Sequence, residues 1–159
     1  MSAKAEALRE AYEFAFEALT RTLEGTDDRE YTYRLTPASN NIQAILQHLS
    51  RLTNHNIPSI IRRQPHHTPG DKLAEPDEPN KSLEKLLDDI DEGKEKVLGG
   101  VARLSDEQLE EVIPMMSGPY PCKIGLYAYL GELFHHRGQI AFIRGTVKRL
   151  RERDPGFLK

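Results

Sequence analysis

Residues 131–145 read GELFHHRGQIAFIRG. An acid, two histidines, two arginines and a glutamine fall inside a stretch whose other residues suit a buried helix, where uncompensated polar groups are costly. On a helix, Glu132 and His136 stand four residues apart and emerge on one face. Tyr129 precedes Glu132 by three and Gln139 follows His136 by three, extending the same stripe. His135 is turned about 100° away. One helix thus offers a carboxylate and an imidazole to a single divalent cation, and a third ligand must come from elsewhere.

His48 is the candidate. It stands in AILQHLSRL, with Ile45 three before it and Leu52 four after, beside the apolar stripe of its own helix. Inward-pointing side chains on two helices of a bundle can meet at one level. His48, Glu132 and His136 would form a two-histidine, one-carboxylate set with open positions, suited to zinc, iron or nickel. An open position lowers the pKa of bound water or takes a thiol as thiolate. The plain alternative is an i,i+4 ion pair between Glu132 and His136, with His48 as an ordinary half-buried histidine. His55, close to Pro58, and the loop pair His66-His67 read as structural or incidental.

These residues need four long helices to position them. The first carries Ala5, Leu8, Tyr12, Ala15, Phe16, Leu19 and Leu23 at helical spacing and ends at Gly25. TDDREYTYRLTP reads as a loop with a short extended piece over 30–35. The second helix starts after Pro37, capped by Ser39 or Asn40, with Ile42, Ile45, Leu46, Leu49 and Leu52 inward; Pro58 predicts a kink or break. Positions 65–80 hold four prolines, too long a connection for a simple hairpin and suited to a crossover. The third helix, capped by Asn80 or Ser82, carries Leu83, Leu86, Leu87, Ile90, Val97, Leu98 and Val101. Gly93 within it permits close approach of a neighbour, and Gly99-Gly100 predicts a frayed end. SDEQLEEVI has a capping box, Ser105 with Gln108. IPMMSGPYPC reads as irregular, and the last helix runs from 123 to 153. The expectation is an all-α, four-helix bundle with a long crossover between helices 2 and 3, a single domain over residues 1–159.

Composition narrows the partners. The chain has 159 residues, 38% hydrophobic and 30% charged, so it can bury a core and is too apolar for disorder. Its 22 basic residues are spread among 25 acidic ones for a net charge of -3, which argues against nucleic acid. The basic run 148–153 suits a helix C-terminus. The acidic face at Asp88, Asp89, Asp91 and Glu92 reads as solvated. One cysteine, Cys122, precludes an internal disulfide. A helix N-terminus and Lys123 favour its thiolate, but no adjacent base marks it as a nucleophile. No apolar run has membrane length and the acidic N-terminal segment is no signal peptide, so a cytoplasmic protein with no membrane partner is expected.

The stretch HHRGQIAFIR resembles the HxxxHRGQ helix of the DinB family (DinB/YfiT-like metalloenzymes), and the histidine of NNIQAILQHLSRL resembles that family's ligand on the second helix. The resemblance covers nearly the whole chain. It implies a four-helix bundle, often a homodimer, with three histidines holding a divalent metal at one end. His48 matches the first ligand and His136 the last, while Glu132 occupies the position where the family has a histidine. Either the glutamate ligates in its place or the site is degraded; glutamate is a competent ligand, which favours the first. Arg137, Gly138 and Gln139 match the family's RGQ; an acidic partner is expected for Arg137, close helix packing for Gly138, and for Gln139 either a reach to metal-bound water or a supporting or packing role, with structural roles favoured for all three. The resemblance also implies reaction classes: transfer of a low-molecular-weight thiol to a small-molecule substrate, or hydrolysis. The alternative is a non-enzymatic, stress-related binding protein whose metal site is structural or vestigial.

Overall fold

Ser2 opens the first helix by accepting from the Ala5 amide, and α1 runs over Ala3–Leu23 with the predicted apolar face buried. The computed structural model describes residues 2–64, 81–115 and 118–158; the long connection at 65–80, with His66 and His67, lies outside the described residues. Gly25 comes just after α1 at φ +72°, the left-handed conformation glycine adopts without strain. The segment read as loop with an extended piece instead forms a short helix, α2, Asp28–Thr32. Its cause is local: the Asp27 carboxylate accepts from the amides of Arg29 and Glu30, satisfying two of the orphan donors that start a helix.

Asn41, rather than Ser39 or Asn40, caps α3 (Ile42–Arg51) through a bond from the Ala44 amide. Pro58 neither breaks nor ends the helical path beyond α3. The chain passes through a π-helical segment, Leu52–Asn56, into α4, Ile57–Ile61, with helical backbone angles at each junction. Proline lacks only its own donor; the wider π turn just before it re-registers the ladder. Ser82 caps α5, Leu83–Val101. This helix lies alongside α3–α4 in the same direction: Asn54 donates to the Asp89 carbonyl at 2.7 Å, and Lys96 donates to Asn54 at 2.8 Å.

Glycine decides how close α5 comes. A Cβ on Gly93 would lie 2.2 Å from Thr53 Oγ1 and one on Gly100 2.8 Å from Ile61 Cδ1. The expected close approach at Gly93 is present. Gly100 is also a packing point, and the helix continues through Gly99-Gly100 to Val101 instead of fraying. Asp89, read as part of a solvated face, is buried and bridged by Lys81 at 2.9 Å and Lys85 at 2.8 Å. Burial alone would raise its pKa, but the bonds from Lys85 and Lys81 outweigh it and hold the carboxyl below its ordinary 3.8.

The predicted capping box opens α6, Asp106–Glu110. The segment read as irregular is a small antiparallel hairpin, β1 Val112–Met115 with β2 Gly118–Pro121. Its prolines are tolerated because each strand has only one neighbour. Then α7, Cys122–Arg153, spans the molecule. It runs parallel to α1, where the Tyr12 hydroxyl donates to the Leu126 carbonyl at 2.6 Å and Arg137 donates to Thr22 Oγ1 at 2.9 Å. It runs antiparallel to α3–α4, where Asn56 meets Tyr129 and Cys122 meets the Ile60 carbonyl. Toward its C-terminal half, Arg144 reaches Glu30 at 3.0 Å and also donates to the Thr22 carbonyl and, at 2.8 Å, to that of Glu24. One hydrophobic core joins these helices, centred on Tyr12, Phe16, Leu46, Leu49, Leu86, Leu126 and Ile140. Among the described residues the architecture is helical apart from the hairpin, and no helix is long and apolar enough to cross a membrane.

Stability should respond to this packing in two ways. Gly93→Ala must push Thr53 away and should lower unfolding free energy by about 2 kcal/mol in urea titration, within the range for overpacked cores. Because Asp89 has a depressed pKa in the folded state, its stabilisation is complete above the ordinary carboxylate range and is lost as pH falls through the lowered value. Asp89→Asn should therefore be less stable than wild type at pH 7, with the difference shrinking on acidification below about pH 4.

Candidate metal centre

The antiparallel pairing of α3 with α7 puts His48 level with the Glu132–His136 turn. Glu132 Oε2 lies 3.2 Å from His136 Nε2 and 4.0 Å from His48 Nε2. One donor atom from each of the three residues falls within 4.8 Å of the others. The two imidazoles meet edge-on, ring centres 4.6 Å apart. Sequence reasoning named these three residues, and the fold brings all of them together.

Hydrogen bonding fixes which atoms face inward. His136 Nδ1 lies 2.9 Å from Gln139 Oε1, and Gln139 Nε2 lies 3.1 Å from His135 Nε2. In the tautomer that carries its proton on Nδ1, His136 donates to the Gln139 amide oxygen and the amide nitrogen donates to His135. His136 Nε2 then presents a lone pair to a carboxylate oxygen, acceptor against acceptor. A cation or a shared proton between them resolves that repulsion. Gln139 thus holds the His136 ring in one orientation, the part outer partners play for metal-bound histidines. Burial, then the neighbouring His136 and Arg51, lower the His48 pKa against the opposing pull of Glu132. The neutral, ligating imidazole is favoured.

The donor set fits a divalent ion chemically. Four-coordinate zinc with bonds of about 2.0–2.1 Å holds its donors roughly 3.3 Å apart. The Glu132–His136 pair already has that separation, and His48, with 45% of its side chain exposed, has room to approach. Tyr129 sits a turn before Glu132 and accepts from Asn56 at 3.3 Å. Burial raises its pKa, so the phenol keeps its proton as a donor beside the carboxylate. On the other side, an open cleft of about 470 Å³ is walled by Leu35, Ile45, His135, Gln139 and Phe142. Its apolar wall is joined to the histidine cluster through the Gln139 side chain.

Other expectations fare differently. Arg137 finds the Thr22 hydroxyl rather than an acidic partner, since Thr22 is the group α1 presents at that level. Gly138 packs against nothing: a Cβ there meets no atom within 4 Å, because it lies on the outer face of α7. His55 is exposed in the π segment. Cys122 is buried against the Ile60 carbonyl, and burial pushes its thiol up to about 11, outweighing the opposing charge of Arg63. Sequence reasoning did not find Asn56, whose reach to Tyr129 depends on the π segment, nor the Glu30–Arg144 pair. Arg144 stood in view as a lone cation in AFIRGTV, but nothing in the sequence named its partner.

The sequence pattern of the DinB superfamily matches residues 11–140, which include all three residues of the cluster. No curated protein matches the chain.

The buried state of Cys122 has a direct readout. At pH 8 a thiol-specific alkylating reagent should leave folded protein unlabelled over times that fully label the urea-unfolded chain, as read by intact mass. Rapid labelling of the folded protein would contradict the placement of this thiol.

Proposed function

The chain belongs to the DinB superfamily, and we propose that it is a divalent-metal-binding member in which His48, Glu132 and His136 are the protein ligands. The carrying observation is the convergence of these three donors from two helices within 4.8 Å. Glu132 stands where the family resemblance leads one to expect histidine, so the site carries one more negative charge and a harder oxygen donor. That set admits zinc, iron or nickel. The bundle reading belongs with this proposal. Four long helical segments, with α5 parallel to α3–α4, support a four-helix bundle whose second and third helices are joined by a crossover, since parallel neighbours require a long return connection.

The activity we favour is metal-dependent transfer of a low-molecular-weight thiol to an electrophilic small molecule, or a related hydrolysis, in the cytoplasm. A divalent cation so held supplies Lewis acidity, which favours the anionic form of a thiol or water nucleophile. The chain's own residues do the rest. Gln139 holds the His136 ring in place, Tyr129 holds a proton beside Glu132, and the half-exposed His48 and Glu132 leave the cluster open to a small molecule. Cys122 is too deeply buried to supply the sulfur, so the thiol comes from outside.

Elemental analysis of purified protein should find about one equivalent of a transition metal per chain, and Glu132→Ala or His48→Ala should remove it while preserving the helical circular-dichroism spectrum. Metal-free wild type would overturn the proposal and leave Glu132–His136 as an internal ion pair. Thiol-transfer assays then separate the two uses of the ion. A catalytic ion makes turnover fall by at least about 100-fold in Glu132→Ala with the melting temperature nearly unchanged. A structural ion gives no turnover and a melting temperature that collapses on chelation.

A further inference from the structure

Beside the histidine cluster, the groove between α3 and α7 changes character within one helical turn. On α3, Ile45 stands one turn before His48; on α7, Gln139 stands one turn after His136, a step of about 5 Å along either axis. There the groove opens into the 470 Å³ cleft, whose apolar walls are Leu35, Ile45, Phe142 and Ile143. That volume lies within the range of about 300–1,000 Å³ common to small-molecule sites. Among the described residues, no lysine, arginine, aspartate or glutamate lines it. Clefts nearer the C-terminal end of α7 differ in this respect. One of about 510 Å³ is lined by Glu30, Arg144, Lys148, Arg151 and Glu152, and another of about 720 Å³ by Asp27, Asp28, Arg29 and Arg151. Two residues leave the uncharged cleft open. Phe142 on its wall is 63% exposed, and a Cβ added to Gly138 at its border would meet no atom within 4 Å.

We propose that this cleft binds a neutral aromatic small molecule. An anion or cation placed there would lose water and find no charged partner, whereas a neutral ring gains apolar burial. The Phe142 ring and the His135 imidazole add aromatic partners for it. Taken with the metal-dependent transfer argued above, on which this part rests, the bound molecule is the electrophile. Two neutral imidazoles and one carboxylate around a divalent ion leave the cluster net positive, which suits an anionic nucleophile. The uncharged cleft suits its neutral co-substrate. The two reactants then lie a helical turn apart in one groove, with Gln139 between them, its amide bonded to His136 on one side and His135 on the other. In the transfer, the thiolate sulfur forms a bond to the electrophilic carbon, and a displaced group such as chloride leaves with the electron pair of the bond that breaks.

Fluorescence titration with N-phenyl-1-naphthylamine, a neutral aromatic dye, should saturate at one dye per chain. Leu35→Ala and Gly138→Leu should each weaken binding at least about tenfold, with the helical circular-dichroism spectrum and the bound metal retained. Tyr127→Ser, exposed on α7 outside the cleft, should leave binding unchanged. Unlabelled 1-naphthol should compete with the dye, and its proton resonances should relax faster with cobalt(II)-loaded than with zinc-loaded protein, because the cleft lies a helical turn from the cluster. A dye that does not saturate, binding that both cleft variants leave intact, or binding lost in Tyr127→Ser overturns the proposal. So does competing naphthol that cobalt does not relax. The two readings fail separately. Cleft-dependent dye binding to a chain that holds no metal strikes only the metal ligation, and a metal-holding chain that binds no dye strikes only the cleft.

Discussion

The buried carboxylate of Glu30 constrains the rest of the molecule. It is 4% exposed and its guanidinium partner, Arg144, is on a different element far along the chain. A buried charge that lost its partner would cost several kcal/mol, so the pair holds α7 at one height against α1. Arg144 adds bonds to the Thr22 and Glu24 carbonyls, closing the end of α1 that would otherwise leave acceptors unsatisfied. At the opposite end, Gly125 lets Met115 and Ile60 approach α7 closely. A 32-residue helix pinned near both ends has little freedom to slide. The levels of Glu132 and His136 against His48 follow from those two anchors.

The chemistry of the cluster depends on a second feature, the small polar chain His136–Gln139–His135. It is built wholly within α7, from residues one helical turn apart, and so is preorganised by the helix itself. His48 is the variable partner. It arrives from another helix, is half exposed, and has the longest gap to close. The cluster thus joins a carboxylate and an imidazole of one helix to an imidazole of another, and the half-exposed His48 and Glu132 leave its solvent side accessible.

Much of this was legible in the sequence where the cause is local or periodic. The apolar faces of α1, α3 and α5, the capping box at Ser105 and the i,i+4 relation of Glu132 and His136 all come from spacing, and each is present in the fold. What escaped depends on partners that spacing does not name. Asp89 sat in a run of acids that read as solvated, yet Lys81 and Lys85 bury it; Gly93 and Gly138 looked alike as interior glycines, yet only Gly93 faces Thr53. Asp27 as an N-cap was readable in principle, but the segment after it read as a loop with a short extended piece.

The π turn at Leu52–Asn56 has an evolutionary corollary. It amounts to one residue more than an ordinary helical turn needs, placed between His48 and the Pro58 segment that packs on the start of α7. Removing that residue would restore a regular helix and rotate His48 by about 100° relative to everything downstream. A one-codon deletion could therefore dissolve the cluster with every participating side chain still encoded. Among homologues of this chain, indel length between the two landmarks would then be as informative a marker of an intact cluster as the identity of the histidines themselves.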